Sequence, residues 1–193
     1  MGHWINVGCG PHRAPDPWIN TDITRVEGVI EPDLLVESSF PAALTAVLGR
    51  ASVDRVYLGH VLEHINWNDL PRFFEELKIM LLDGAELMVV GPDVFRSLER
   101  FMCGTDSLSD VKSVLEDDLH FQEVDDDWSG ARHAWNSYEA RVARLLTQNG
   151  FHSVQPLPIS ADALEGWPVV SFVGWQCAVS ARYFESHGSV PTQ

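Results

Sequence analysis

The sequence predicts an α/β protein with a mostly parallel sheet and a ligand site at the carboxyl ends of the strands. Three observations lead there. Trp4 to Val7 alternates, with Ile5 and Val7 on one face and Trp4 and Asn6 on the other, and it breaks at Gly8-Cys9-Gly10-Pro11. A second β-type run, Trp18-Ile19-Asn20, ends on Asp22. Downstream, β-type runs alternate with segments of helical period. A strand, a glycine turn and an acidic residue closing the next strand are the parts of a nucleoside-binding half. Glycine lets backbone approach a ligand without interference from Cβ.

Each element has its own signal. Strand one is His3 to Val7 and strand two Trp18 to Ile23. The eleven residues between Gly10 and Asp22 include Pro11, Pro15 and Pro17, so no ordinary helix fits there. A pyrophosphate favours a helix N-terminus pointed at it. A nucleoside without phosphates loses less when that helix is missing. Asp33 to Val36 reads as a short third strand ending near Glu37, Pro41 to Gly49 as a short helix, and Val53 to Leu58 as strand four. Asn68 as N-cap, Pro71 in the first turn and the spacing of Leu70, Phe73, Phe74, Leu77, Met80 and Leu81 predict a helix that Gly84 terminates. Leu87 to Val90 is continuously apolar, as in a strand covered on both faces. Ser97 to Phe101 and Ser109 to Leu115 have weak helical signals. Asn136 and Glu139 stand in capping-box positions for a helix running to Gly150. Phe151 to Leu157 and Phe172 to Arg182 close the chain as a pair of strands, antiparallel because the connection at Gly166-Trp167-Pro168 is short.

Composition narrows the function. At 193 residues the chain is expected to form one domain over 1–193, with 97–131 as an insertion or lid. Its 28 Asp and Glu against 13 Lys and Arg give a net charge of −15, which argues against binding a phosphate backbone and suits a cationic ligand. Cys9, Cys103 and Cys177 form neither a disulfide framework nor a zinc pattern, and no run is apolar enough to span a membrane. A cytoplasmic protein acting on a small molecule is expected, with neither nucleic acid nor membrane as partner and no resident metal. Oligomeric state is not legible.

Four motifs in order also carry a resemblance: INVGCG, the Asp22 strand end, VDRVYLGHVLEHI, and EELKIMLLDGAELMVVGPDV. With HAWNSYEARVARLLTQNGF, they resemble the class I S-adenosylmethionine (SAM)-dependent methyltransferases, in particular the small type 11-like branch. The resemblance implies a Rossmann-like sheet of seven strands with an antiparallel last strand. It implies SAM across the ends of strands one, two and four. Gly8 and Gly10, with Cys9 in the same turn, would border the methionine portion, Asp22 the ribose hydroxyls, Glu37 and Ser38 the adenine, and Gly59 and His60 the reactive end. The third glycine of the family is absent, with His12 nearby. A nucleoside-binding module without turnover therefore stands beside the methyltransferase reading.

Other residues have two readings. His60-Val61-Leu62-Glu63-His64 spells H-x-x-E-H, a zinc-hydrolase motif, but that chemistry needs both histidines on one helical face and a third protein ligand. The run follows a strand end instead, which favours the methyltransferase reading. Glu63 and His64 are candidates for acid–base work on an acceptor's proton, and His133 is a second candidate base. Asp93 either orients a substrate hydroxyl or caps the next helix. The run Glu116 to Asp127 holds seven acidic residues and no Lys or Arg, and reads as a solvated face or an acidic lid.

Overall fold

A computed structural model describes residues 2–36, 41–109, 111, 134–169 and 174–185. Seven strands form one sheet: β1 (His3–Val7), β2 (Trp18–Asp22), β3 (Leu34–Leu35), β4 (Val53–Gly59), β5 (Leu81–Pro92), β6 (His152–Leu157) and β7 (Gln176–Arg182). Their order is β3-β2-β1-β4-β5-β7-β6. Neighbours pair in parallel from β3 through β5, whereas β7 runs antiparallel to both β5 and β6. This is the mostly parallel, seven-stranded sheet with an antiparallel last strand that the sequence predicts. The chain reverses direction across the sheet beside β1 and β4, so the carboxyl ends of β1, β2 and β4 surround one crevice, where α/β sheets place ligands.

The helices are α1 (Ala42–Leu48), α2 (Leu70–Met80), α3 (Val94–Met102) and α4 (Glu139–Gln148), with a 3-10 turn at Leu62–His64. α2 buries Leu70, Phe73, Phe74, Leu77 and Met80, the stripe that its period requires, against the sheet core of Ile5, Val56, Leu58 and Leu87. The other sheet face carries a smaller cluster in which Ala14, Trp18 and Leu164 pack on Tyr57, Met88, Val90 and Ala178. A loop thus covers β1 and β2 where a helix would otherwise lie.

That loop is held by polar side chains. Asn20 is 1 % exposed; its Oδ1 accepts from Ala14 N at 2.7 Å and from Asn6 Nδ2 at 2.9 Å. Asp33 Oδ2 accepts from Asn20 N at 2.8 Å and from Asn20 Nδ2 at 3.0 Å, and Oδ1 pairs with Arg13. Burial works against the Asp33 charge, but these donors outweigh it and hold the carboxyl below its ordinary value. Proline-rich chain without helical bonds is fixed here by side-chain substitutes for them.

Several boundaries differ from the sequence reading. α2 stops at Met80, not Gly84, because Leu81 is already extended and buried as the first residue of β5. Gly84, at φ +81°, bends β5 where its register with β4 slips, and its N–H bonds Tyr183 O at 2.8 Å. Asp69, not Asn68, occupies the N-cap of α2, without a side-chain cap. The Asn136–Glu139 capping box does not form: α4 starts after Tyr138, and Glu139 turns instead to Arg96. The β3 of the structure is two residues long. The late strands are shorter than predicted, and Ser109 to Leu115 falls mostly outside the described residues. Among those residues no helix is long and apolar enough to cross a membrane.

Candidate functional site

The crevice is a cavity of about 700 Å³, inside the usual range for small-molecule sites (about 300–1,000 Å³). One wall is the end of β1 and β2: Val7, Gly8, Gly10, Thr21, Asp22 and Ile23. The facing wall is His60, Val61, His64 and Ile65, continued by Asp69 at the N-cap of α2 and by Arg72, Phe73 and Glu76 within it. Of the residues singled out in the sequence, Gly8, Gly10, Asp22, His60 and His64 therefore meet at one place.

The glycine turn has a physical cause. Gly8 lies at φ +60°, and a Cβ on it would come within 2.8 Å of Val61 Cγ2. Gly10, at φ +52°, has open space where its Cβ would be. The turn is tied to β2 through Cys9 N to Thr21 O at 2.9 Å. Asp22 Oδ2 accepts from Gly10 N at 2.8 Å and Oδ1 from Thr24 N at 3.0 Å. Each carboxylate oxygen then keeps a further lone pair for a donor in the cavity.

Cys9 and Gly59 shape the site from behind and do not line the cavity. Burial, then the charge of Asp22, pushes the Cys9 thiol up to about 11, so it is a neutral packing group. A Cβ on Gly59 would lie 2.6 Å from the Tyr57 ring hydroxyl, so glycine is needed for packing there. Glu63 is also behind the wall, at 2 % exposure. Glu37, Ser38, His133 and the acidic run 116–127 lie outside the described residues.

His60 is the most constrained residue of the site. Its backbone sits at φ +56°, in the left-handed region that disfavours side chains, and its N–H bonds Val90 O at 2.8 Å. The ring Nε2 is 2.7 Å from Gln176 Nε2, and Trp175 meets the ring edge-on at 5.7 Å. Nδ1 lies 3.1 Å from Glu63 Oε1. The separation is that of an ion pair, but Oε1 has no hydrogen-bond partner, so the ring N–H is out of line with it. The H-x-x-E-H run thus places its glutamate under the wall, on a 3-10 turn, with His60 engaged by Gln176. Among the described residues no three His, Cys, Asp or Glu side chains stand where they could share a metal ion. The helical face that the zinc motif requires is absent.

Asp93 caps. Its Oδ1 accepts from Phe95 N and Arg96 N, each at 3.1 Å, and its Oδ2 from Glu139 N at 3.1 Å, so one buried carboxylate starts both α3 and α4. Sequence reasoning missed Gln176, the first residue of β7, and Trp175 just before it, both more than a hundred residues beyond His60. It also missed the α2 wall, although Asp69, Arg72, Phe73 and Glu76 recur at helical spacing.

No family model and no curated protein matches this chain. Solved structures do. A SAM-dependent methyltransferase from Archaeoglobus fulgidus superposes with TM-score 0.57 at 14% identity, over 94% of this chain and 86% of that one. One from Thermotoga maritima, described as a possible histamine N-methyltransferase, gives 0.55 at 16% identity over 94% and 82%. DhpI in complex with SAH gives 0.51 at 13% identity over 95% and 78%. With its strand order, antiparallel β7 and crevice at β1, β2 and β4, this chain has the Rossmann-like fold of the class I SAM-dependent methyltransferases.

Proposed function

We propose that the protein is a SAM-dependent methyltransferase that acts on oxygen or nitrogen of a small-molecule or sugar-like acceptor and releases S-adenosylhomocysteine (SAH). The observation that carries this reading is the crevice itself. Main chain stripped of side chains at Gly8 and Gly10 stands beside a half-exposed carboxylate, Asp22, with lone pairs left over. That set suits a ribose diol and an amino-acid tail, and it offers nothing built for a pyrophosphate. Asp22, Asp69 and Glu76 line the cavity against one cation, Arg72, which is itself bonded to Glu76 at 2.8 Å. A cationic sulfonium fits that field.

When bound, SAM supplies a methyl group already activated by the sulfonium. What remains for the protein is alignment of the acceptor, exclusion of water and a place for the acceptor's proton. His60 and His64, both on the wall, are the titratable groups suited to that last task. The chain is read as a cytoplasmic enzyme for free small molecules, in keeping with its charge of −15.

Calorimetric titration with SAH, together with transfer of labelled methyl from SAM to a panel of catechol, phenol and benzylamine, tests the proposal. Micromolar SAH binding with methyl transfer is expected; no heat with either SAM or SAH overturns it. Binding without transfer would instead favour a nucleoside-binding module. That second reading draws support from the missing helix and from the engagement of Asp22 with its own loop.

A further inference from the structure

We infer that His60, and not His64, takes the acceptor's proton, with buried Glu63 holding it in the receptive tautomer. The inference rests on the methyltransferase reading above. The His60 ring is held on three sides, by Glu63, Gln176 and Trp175. It is also held in the left-handed backbone region, at φ +56°. Strain of that kind persists where the surroundings over-determine it. Here the result is an imidazole on the cavity wall, 37% exposed, with a carboxyl of 2% exposure beneath it.

The two ring contacts agree on one protonation state. A carboxylate beside Nδ1 favours a proton there, and an amide N–H on Nε2 requires a lone pair there. The tautomer that fits both contacts carries its proton on Nδ1, and its Nε2 lone pair is covered by a donor that an incoming acceptor can displace. Glu63 Oε1 is buried and lacks a hydrogen bond, and His60 Nδ1 is within reach of it. A small turn of the ring completes that bond as the ring gains charge. Among the described residues, the ionisable groups Tyr57, Cys177, Asp93 and Arg96 near the pair are either neutral or already matched. Burial, then Glu63, pushes the Tyr57 hydroxyl far up, and burial, then Asp93, pushes the Cys177 thiol up to about 12. Asp93 is occupied by three backbone N–H groups, and Arg96 pairs with Glu139. His64 lines the same cavity.

The step balances. A lone pair on the acceptor oxygen or nitrogen forms the bond to the methyl carbon, the carbon–sulfur bond breaks with its pair going to sulfur, and the acceptor's proton passes to His60 Nε2. The positive charge thus moves from sulfur to the imidazole, whose Nδ1 lies 3.1 Å from buried Glu63 Oε1. The exposed side of the ring returns the proton to water.

The test is long-range proton–nitrogen spectroscopy on protein labelled at its histidine nitrogens, free and with SAH, for wild type and Glu63→Gln. His60 is expected to show a protonated Nδ1 and a bare Nε2, a preference that Glu63→Gln abolishes. A proton on Nε2, or a spectrum indifferent to Glu63→Gln, overturns the inference. In the kinetic arm, His60→Asn keeps a residue that tolerates positive φ and should lower kcat about 10²-fold or more with SAH affinity unchanged. Added imidazole should restore part of the rate. A greater loss in His64→Asn, no rescue, or no methyl transfer to any probe by SAH-competent protein overturns the proton-accepting role. Failure to bind SAH, with the tautomer intact, marks the methyltransferase reading as the part that fell.

Discussion

Replacing Asp22 by alanine separates ligand binding from loop structure, because its carboxylate serves both. Two backbone donors, Gly10 N at 2.8 Å and Thr24 N at 3.0 Å, already occupy one lone pair on each oxygen. The pairs left over face the cavity. Two hydrogen bonds from ribose hydroxyls to a carboxylate, each contributing on the order of 1–1.5 kcal/mol net in a half-exposed site, make a loss of about 2–3 kcal/mol. At 1.4 kcal/mol per decade the SAH dissociation constant should rise roughly 30- to 150-fold. Asp22→Ala also frees the two backbone donors, so stability should fall by about 1–2 kcal/mol. Asp22→Asn keeps one accepting oxygen and turns the other into a donor. It should preserve at most one of the backbone bonds and lose half or more of the binding effect. Titration calorimetry with SAH and denaturant unfolding on the three proteins read both quantities. An Asp22→Ala protein that is destabilised but binds SAH with wild-type affinity would refute the ribose role and leave Asp22 as a loop cap alone.

The remaining expectations concern the frame. Gly8→Ala places a methyl 2.8 Å from Val61 Cγ2 at φ +60°; it should lose about 1–3 kcal/mol, and adding Val61→Ala should relieve the clash but not the backbone strain. Asp93→Ala removes the caps of α3 and α4 together and should cost about 2–4 kcal/mol in urea unfolding, with Asp93→Asn recovering part of it. Native protein treated with iodoacetamide at pH 8 should be labelled at exposed Cys103 and spared at buried Cys9 and Cys177, as peptide mass spectrometry can read. The same thiols predict alkaline sensitivity. The folded values of Cys9 and Cys177, about 11 and about 12, lie above the ordinary thiol value of 9.0, so the unfolded state releases its protons first. Their contribution is intact below pH 9 and declines as pH rises from 9 to 12, and Tm should follow that course.

What the sequence made legible is what depends on local pattern. Period 2 at Trp4 to Val7, period 3.6 in α2 and the unbroken apolar run before Gly91 each record burial directly, so the sheet and its helices follow. The three prolines of 11–17 were enough to deny a helix between β1 and β2. What failed was capping, because a cap depends on what is nearby in space. Asn136 has the right chemistry for α4, but Asp93 reaches its first N–H from another element. Gly84 reads as a helix stop only until Leu81 is seen to be buried in the sheet. The site divides the same way. Gly8, Gly10 and Asp22 are adjacent along two paired strands, whereas His60 and Gln176 are partners only because β7 inserts antiparallel between β5 and β6.

The loop that replaces the helix between β1 and β2 fixes the kind of ligand the crevice can hold. A helix there would aim its N-terminal N–H groups and positive dipole end at the ligand. Instead, Gly10 N, the loop donor that lines the crevice, is already taken by Asp22. The sign of the crevice turns with it: that donor is withdrawn and carboxylates remain. A dinucleotide or nucleotide would bring phosphate charge to a wall with Asp22, Asp69 and Glu76. A sulfonium nucleoside brings the opposite charge and hydroxyl donors to the same wall. ATP or NAD binding in competition with SAH, at comparable affinity, would contradict this assignment. The absence of such competition is expected even at high ionic strength, where the repulsion is most screened.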